Sequence, residues 1–96
     1  MNDLTSESFS SAINDGIVLV DFYSEDCGPC KNLAKQLTDF DVPVYGVNVM
    51  EECDISFECE VTTVPTVLVF KDGVEVNRSI GFKPRGYFEG ILNGLK

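Results

Sequence analysis

Apolar and polar positions along the chain alternate in blocks that predict its elements. Val18, Leu19, Val20 and Phe22 form a near-continuous apolar run within Ile17–Tyr23, the pattern of a strand covered on both faces. Before it, Thr5 or Ser6 is placed to cap a first helix, with Phe9, Ala12 and Ile13 on one face. Asn14-Asp15-Gly16 ends that helix. After the strand, Leu33, Leu37 and Phe40 recur at helical spacing, predicting a second helix from Cys27 or Cys30 to about Phe40, broken by Asp41-Val42-Pro43. Val44–Val49 alternates as a strand, and Glu51–Glu60 is an acidic stretch around a short helix. Thr66–Lys71 and Val74–Ile80 read as two strands joined by the hairpin turn Asp72-Gly73. Pro84 to Leu95 closes the chain as a helix, with Tyr87, Phe88, Ile91, Leu92 and Leu95 facing inward. This order predicts an α/β chain whose parallel strands come first and whose antiparallel hairpin comes last, as a mixed sheet of four to five strands with helices on both faces.

At the joint between the apolar strand and the second helix stands Cys27-Gly28-Pro29-Cys30. Gly28 permits a tight turn, and Pro29 suits a first helical turn, where its missing N–H has no intrahelical partner to lose. The spacing puts both sulfurs on one face, close enough to bridge. A helix N-terminus carries partial positive charge and free N–H groups, which favour a thiolate and so suit a nucleophile for disulfide exchange.

The segments VDFYSEDCGPCKNLAKQL, TTVPTVLVFKDGVEV and the IGF that follows resemble the thioredoxin family, in order and over roughly Phe9 to Leu95. The resemblance implies a thioredoxin fold and a protein-disulfide reductase. Cys27 would be the attacking thiol and Cys30 the resolving one. Asp21, a carboxylate inside an apolar strand, is expected to be buried with a raised pKa. The family places it beneath the disulfide, where through a water it would take or give the Cys30 proton. Gly28, Pro29, Val64, Pro65 and Gly81 would form the substrate-binding surface. Pro65 would follow a cis bond, Val64 would offer its backbone to an extended partner, and Gly81 would leave room for it. No bound cofactor is implied beyond the Cys27–Cys30 couple. Electrons would come from an external thioredoxin reductase and pass to disulfide-containing proteins, with the chain acting as a monomer.

Two departures from the family pattern stand out. Asp26 occupies the position where a Trp is usual, and with Glu25 it should disfavour the Cys27 thiolate and make the couple more reducing. Gly46 falls where the family often has a Lys near Asp21, so Asp21 should lose a stabilising cation and its pKa should rise further.

Composition narrows the remaining alternatives. Ninety-six residues suit a single domain spanning 1–96. A net charge of −9 argues against nucleic acid or an anionic membrane as partner. No stretch approaches a membrane span, and MNDLTSESFSSAIND lacks the basic and apolar regions of a signal peptide, so a cytoplasmic location is expected. In a reducing compartment four cysteines point to redox or metal chemistry rather than structural bridges. Histidine is absent, and the Cys53–Cys59 gap is wider than zinc sites use, which weighs against a metal. Within one helix Cys53 and Cys59 would lie about 9 Å apart along the axis, too far to bridge unless Cys53 precedes the helix or the helix frays. Free thiols are the expectation, and neighbouring carboxylates should raise both pKa values. Two rival functions remain: an interaction module whose cysteines cycle little, and a dedicated donor to one enzyme.

Overall fold

A computed structural model describes residues 1–96. The elements are β1 (Asn2–Asp3), α1 (Phe9–Ile13), β2 (Ile17–Tyr23), α2 (Gly28–Gln36), β3 (Val44–Asn48), α3 (Cys53–Glu58), β4 (Thr66–Lys71), β5 (Val74–Ile80) and α4 (Arg85–Leu95). The five strands form one sheet in the order β1-β3-β2-β4-β5. The first three are mutually parallel, and β4 and β5 are antiparallel to their neighbours. This is the mixed α/β sheet expected. The added edge strand β1 was not foreseen, because two polar residues carry no strand periodicity. It exists through its partner: Asn2 and Asp3 pair with Tyr45 and Gly46, and the Leu4 N–H donates to the Gly46 carbonyl at 2.7 Å.

Strand parity divides the core in two. Val18, Val20 and Phe22 of β2 pack on one side with Leu4, Ile13, Val47, Ile55, Leu68 and Phe70. Leu19 packs on the other with Leu33, Leu37, Val67, Val69, Phe88 and Leu92. Thus α1 and α3 cover one face of the sheet while α2 and α4 cover the other. Because side chains alternate along a strand, Asp21 and Tyr23 share the face of Leu19, beneath α2. The Asp72-Gly73 turn has positive φ at both residues, 51° and 85°, the geometry of a type I′ hairpin.

Three expected boundaries move. The first helix starts at Phe9 rather than near Thr5, with Ser8 at its N-cap. Thr5 and Ser8 hydrogen-bond to each other instead, in a turn ahead of the helix. The second helix stops at Gln36, short of Phe40. Asp39 takes φ 60°, and the exposed carbonyls of Thr38 and Asp39 accept hydrogen bonds from the Arg85 guanidinium, which also stacks 4.1 Å over the Phe40 ring. The last helix begins at Arg85 with Pro84 at its N-cap, and Tyr87 is largely exposed rather than inward.

The Arg85 clasp ties the end of α2 to the start of α4. Arg85→Ala is expected to cost about 1–2 kcal/mol, the sum of two modest hydrogen bonds and one cation–π contact. Urea unfolding measures the loss, and amide exchange should quicken first around residues 37–41. An unchanged midpoint and unchanged exchange there would show that the clasp contributes nothing.

Candidate active site

Strand β2, the central strand, ends at Tyr23. Ser24–Asp26 carries the chain over the top, and α2 turns back. Cys27 is the N-cap of α2, with extended backbone, and its Sγ accepts the Cys30 N–H at 3.1 Å. It therefore stands just outside the helix whose free N–H groups face it. Gly28 and Pro29 open the helix, Pro29 in the first turn as expected. Gly28 has no positive φ, and a Cβ there would meet nothing within 4 Å, so the turn does not need a glycine. What glycine does is leave the surface beside the sulfurs uncovered.

Cys27 and Cys30 form a disulfide with Cα atoms 5.2 Å apart. Their exposure differs sharply: Cys27 is half-buried, whereas Cys30 is 3% exposed. Geometry alone thus separates a sulfur that a partner can reach from one that it cannot.

Asp21 lies on β2 at the face covered by α2 and is 1% exposed. Its Oδ1 has no hydrogen-bond partner among protein atoms. Burial first, and then the neighbouring charge of Asp3, push its pKa up to about 7, where proton exchange at neutral pH is easiest. Asp21 and Cys30 line one cavity of about 450 Å³, together with Met1, Asp3, Tyr23, Ser24, Glu25, Lys31 and Ala34. The register confirms that Gly46 stands beside Asp21, so no cation reaches Asp21 from that position.

The Val64–Pro65 peptide bond is cis, as the resemblance implied. Pro65 is buried, and its carbonyl accepts the Gly81 N–H at 2.8 Å, bringing these two predicted positions together. Gly81 has φ +86° with open space around its α-carbon. The positive φ favours glycine there, and the space where a Cβ would stand is open. Val64 is half-buried just ahead of β4, outside the strand ladder.

Cys53 and Cys59 are both free thiols. Cys53 opens α3 and is exposed, and Cys59 follows its last turn, half-buried against the core. The Cys59 pKa is raised, but chiefly by burial; Glu75 from β5 contributes next, and Glu58 of the acidic stretch contributes least while Arg78 opposes. The sequence-based reason therefore needs correction: desolvation, not the surrounding carboxylates, dominates.

Sequence reasoning overlooked Asp3 and Met1. Nothing in a dipeptide of polar residues indicates a site. The signal was indirect, a glycine at position 46 opposite a buried carboxylate, and it needed the strand register to be read.

Comparison with known proteins agrees with this geometry. The thioredoxin family model matches residues 1–93. The chain is 38% identical to a thioredoxin of Chlamydia pneumoniae, covering 94% of this chain and 93% of that protein. It is 36% identical to a thioredoxin of Bacillus subtilis, covering 93% and 91%. Its structure superposes on mitochondrial thioredoxin 3 of Saccharomyces cerevisiae in the oxidised form with a TM-score of 0.87 at 35% identity, covering 97% of this chain and 94% of that one. With the reactive-looking pair at the N-terminus of α2, the buried carboxylate beneath it and the cis proline ahead of β4 all in place, the chain belongs to the thioredoxin family.

Proposed function

We propose that this thiol-disulfide oxidoreductase reduces protein disulfides in the cytoplasm as a monomer, and that a thioredoxin reductase returns it to the dithiol form. The observation that carries the reading is the contrast between half-exposed Cys27 and buried Cys30 within one disulfide. In the dithiol form the Cys27 thiolate attacks one sulfur of a partner disulfide. The partner's S–S bond breaks, its other sulfur leaves as a thiolate and takes up a proton, and a Cys27–partner mixed disulfide forms. Cys30 then gives its proton, through a water in the cavity, to the Asp21 carboxylate. Its thiolate attacks Cys27 Sγ, the partner's second thiolate departs, and the Cys27–Cys30 bond closes. Two electrons pass from this chain to the partner, so the account balances without a bound cofactor.

Val64, Pro65, Gly81, Gly28 and Pro29 supply the surface on which an extended partner segment rests. Beside Cys27 a hollow of about 380 Å³ is lined by Ser24, Glu25, Asp26, Asn48, Met50 and Glu51. This acidic rim favours partners and a reductase with basic surfaces. It also disfavours the Cys27 thiolate, which makes the couple more reducing. Two free thiols, exposed Cys53 and half-buried Cys59, suit a compartment that keeps thiols reduced, such as the cytoplasm, where the protein would take part in electron transport and redox homeostasis.

A redox titration, read by thiol alkylation and peptide mass spectrometry, tests the reading. One two-electron step confined to Cys27 and Cys30 is expected, and Asp26→Asn should move it to a less negative potential. No step at that pair would overturn the reductase and favour a scaffold. A second step at Cys53 and Cys59 would show that they form a second couple.

A further inference from the structure

Across the α2 face of the sheet, three residues stand in one row: Asp3 on β1, Gly46 on β3 and Asp21 on β2. Paired strands are about 4.8 Å apart, and residues in register point to the same side. Asp3 and Asp21 are therefore separated only by a residue without a side chain. The gap is occupied from both sides. A Cβ on Gly46 would come 2.5 Å from Asp3 Oδ1, 3.1 Å from Tyr23 Cε1 and 3.2 Å from Met1 Sδ. Over this gap the Tyr23 hydroxyl donates to Asp3 Oδ2 at 2.5 Å. The pair forms the outer wall of the same cavity whose inner wall is Asp21 and Cys30.

We propose that Asp3, held by Tyr23 over Gly46, is a positioning residue for the resolving step, keeping a negative charge at the mouth of the cavity through which Asp21 exchanges its proton with solvent. The inference rests on the reading of Asp21 as proton acceptor for Cys30. During resolution the proton leaves Cys30, resides on Asp21 and must then pass to bulk water. Asp21 is sealed elsewhere by the core, and the cavity is its outlet. A second carboxylate at that outlet acts twice. It makes the Asp21 carboxylate a stronger base for the Cys30 proton, and it offers the departing proton a negatively charged exit.

The charged and titratable groups around Asp21 are few. Asp3 faces it from β1, Tyr23 lies two residues along β2, Glu25 follows that strand, and Cys30 and Lys31 face it from α2. Glu51, after β3, acts on Tyr23. The Tyr23 phenol is held above its ordinary pKa by burial first and then by its hydrogen bond to Asp3. It therefore remains a donor to Asp3 throughout the working pH range. Lys31 is the one cationic side chain in the set and lies on the helix side of the cavity, while Met1, which carries the terminal ammonium, lines the side of β1.

The test uses the full chain with a mixed disulfide preformed at Cys27, and reads the rate of its resolution against pH. In parallel, carbon-13 NMR follows the Asp21 carboxyl in the oxidised protein. Asp3→Asn should shift the Asp21 titration and the pH profile together toward acid by about half a pH unit or more, since a like charge has been removed. Tyr23→Phe should shift both in the same direction by less. The double variant should match Asp3→Asn, because Tyr23 acts only by holding Asp3. A merely structural loss would lower stability without moving either titration. Unchanged titrations in Asp3→Asn, or additive shifts in the double variant, would overturn the proposal. Asp21→Asn separates the two claims. If it leaves the resolution rate intact, the role of Asp21 fails and that of Asp3 falls with it. If it slows resolution by about 100-fold while Asp3→Asn shifts nothing, only the role of Asp3 is lost.

Discussion

Cys30→Ser is expected to abolish turnover and leave one partner chain covalently joined to Cys27. The serine hydroxyl cannot displace a thiolate from the mixed disulfide at neutral pH, so the reaction halts after its first step. Accumulation should approach one partner per chain, seen as a band on a non-reducing gel that thiol reagents abolish. Cys27→Ser should behave oppositely and form no adduct. The physical reason is access: Cys30 is 3% exposed beneath the start of α2, while Cys27 caps the helix at the surface. An adduct mapped to Cys30 in the Cys27→Ser protein would reverse the roles. Adducts at Cys53, the exposed free thiol, would show attack outside the α2 pair, and Cys53→Ala in the same background removes them.

The second large effect is on stability, and its sign follows from Asp21. Folding raises this carboxyl from its ordinary 3.8 to about 7. Between those values the folded chain holds a proton that the unfolded chain has released. Stability from this group is therefore complete below about pH 4 and declines as pH rises toward 7. The full decline is roughly 4 kcal/mol, from about three pH units at 1.36 kcal/mol each. Asp21→Asn removes the titration. Its urea midpoint should vary less from pH 4 to pH 8.5, and at the alkaline end the variant should be the more stable protein despite an amide with unmet hydrogen bonds. Asp41 and Glu75 are shifted the other way, toward acid, by Lys96 and Arg78. The Lys96–Asp41 pair is exposed and the Arg78–Glu75 pair only partly covered, so they add little, and they cancel in the difference between wild type and variant. Parallel pH curves for the two proteins would show that Asp21 is not desolvated in solution.

These expectations depend on different depths of information. The disulfide pair, the helix it caps and the buried carboxylate were legible from local sequence, whereas the cis bond before Pro65 was implied only by the resemblance to the thioredoxin family. Each of the local ones is a short segment whose meaning survives without its neighbours: an apolar run with one carboxylate in it, and a Cys-Gly-Pro-Cys turn. The hairpin was legible for the same reason, since an Asp-Gly dipeptide between two alternating runs can scarcely be anything else.

The rest depended on residues distant in sequence. The turn after α2 is held by Arg85, 46 positions beyond Asp39, whose guanidinium takes the Thr38 and Asp39 carbonyls that no helical N–H reaches. Strand β1 exists because β3 offers it an edge. The cause of the Cys59 shift is burial against the core, which a count of nearby carboxylates could not reveal. Most consequentially, Asp3 meets Asp21 only through the register of three strands, with Gly46 as the gap between them. The sequence by itself determined the chemistry, because reactive groups and their immediate backbone are local. Only the tertiary structure decided which charges surround that chemistry, because a sheet joins distant segments at one strand's spacing and electrostatic influence follows distance in space, not along the chain.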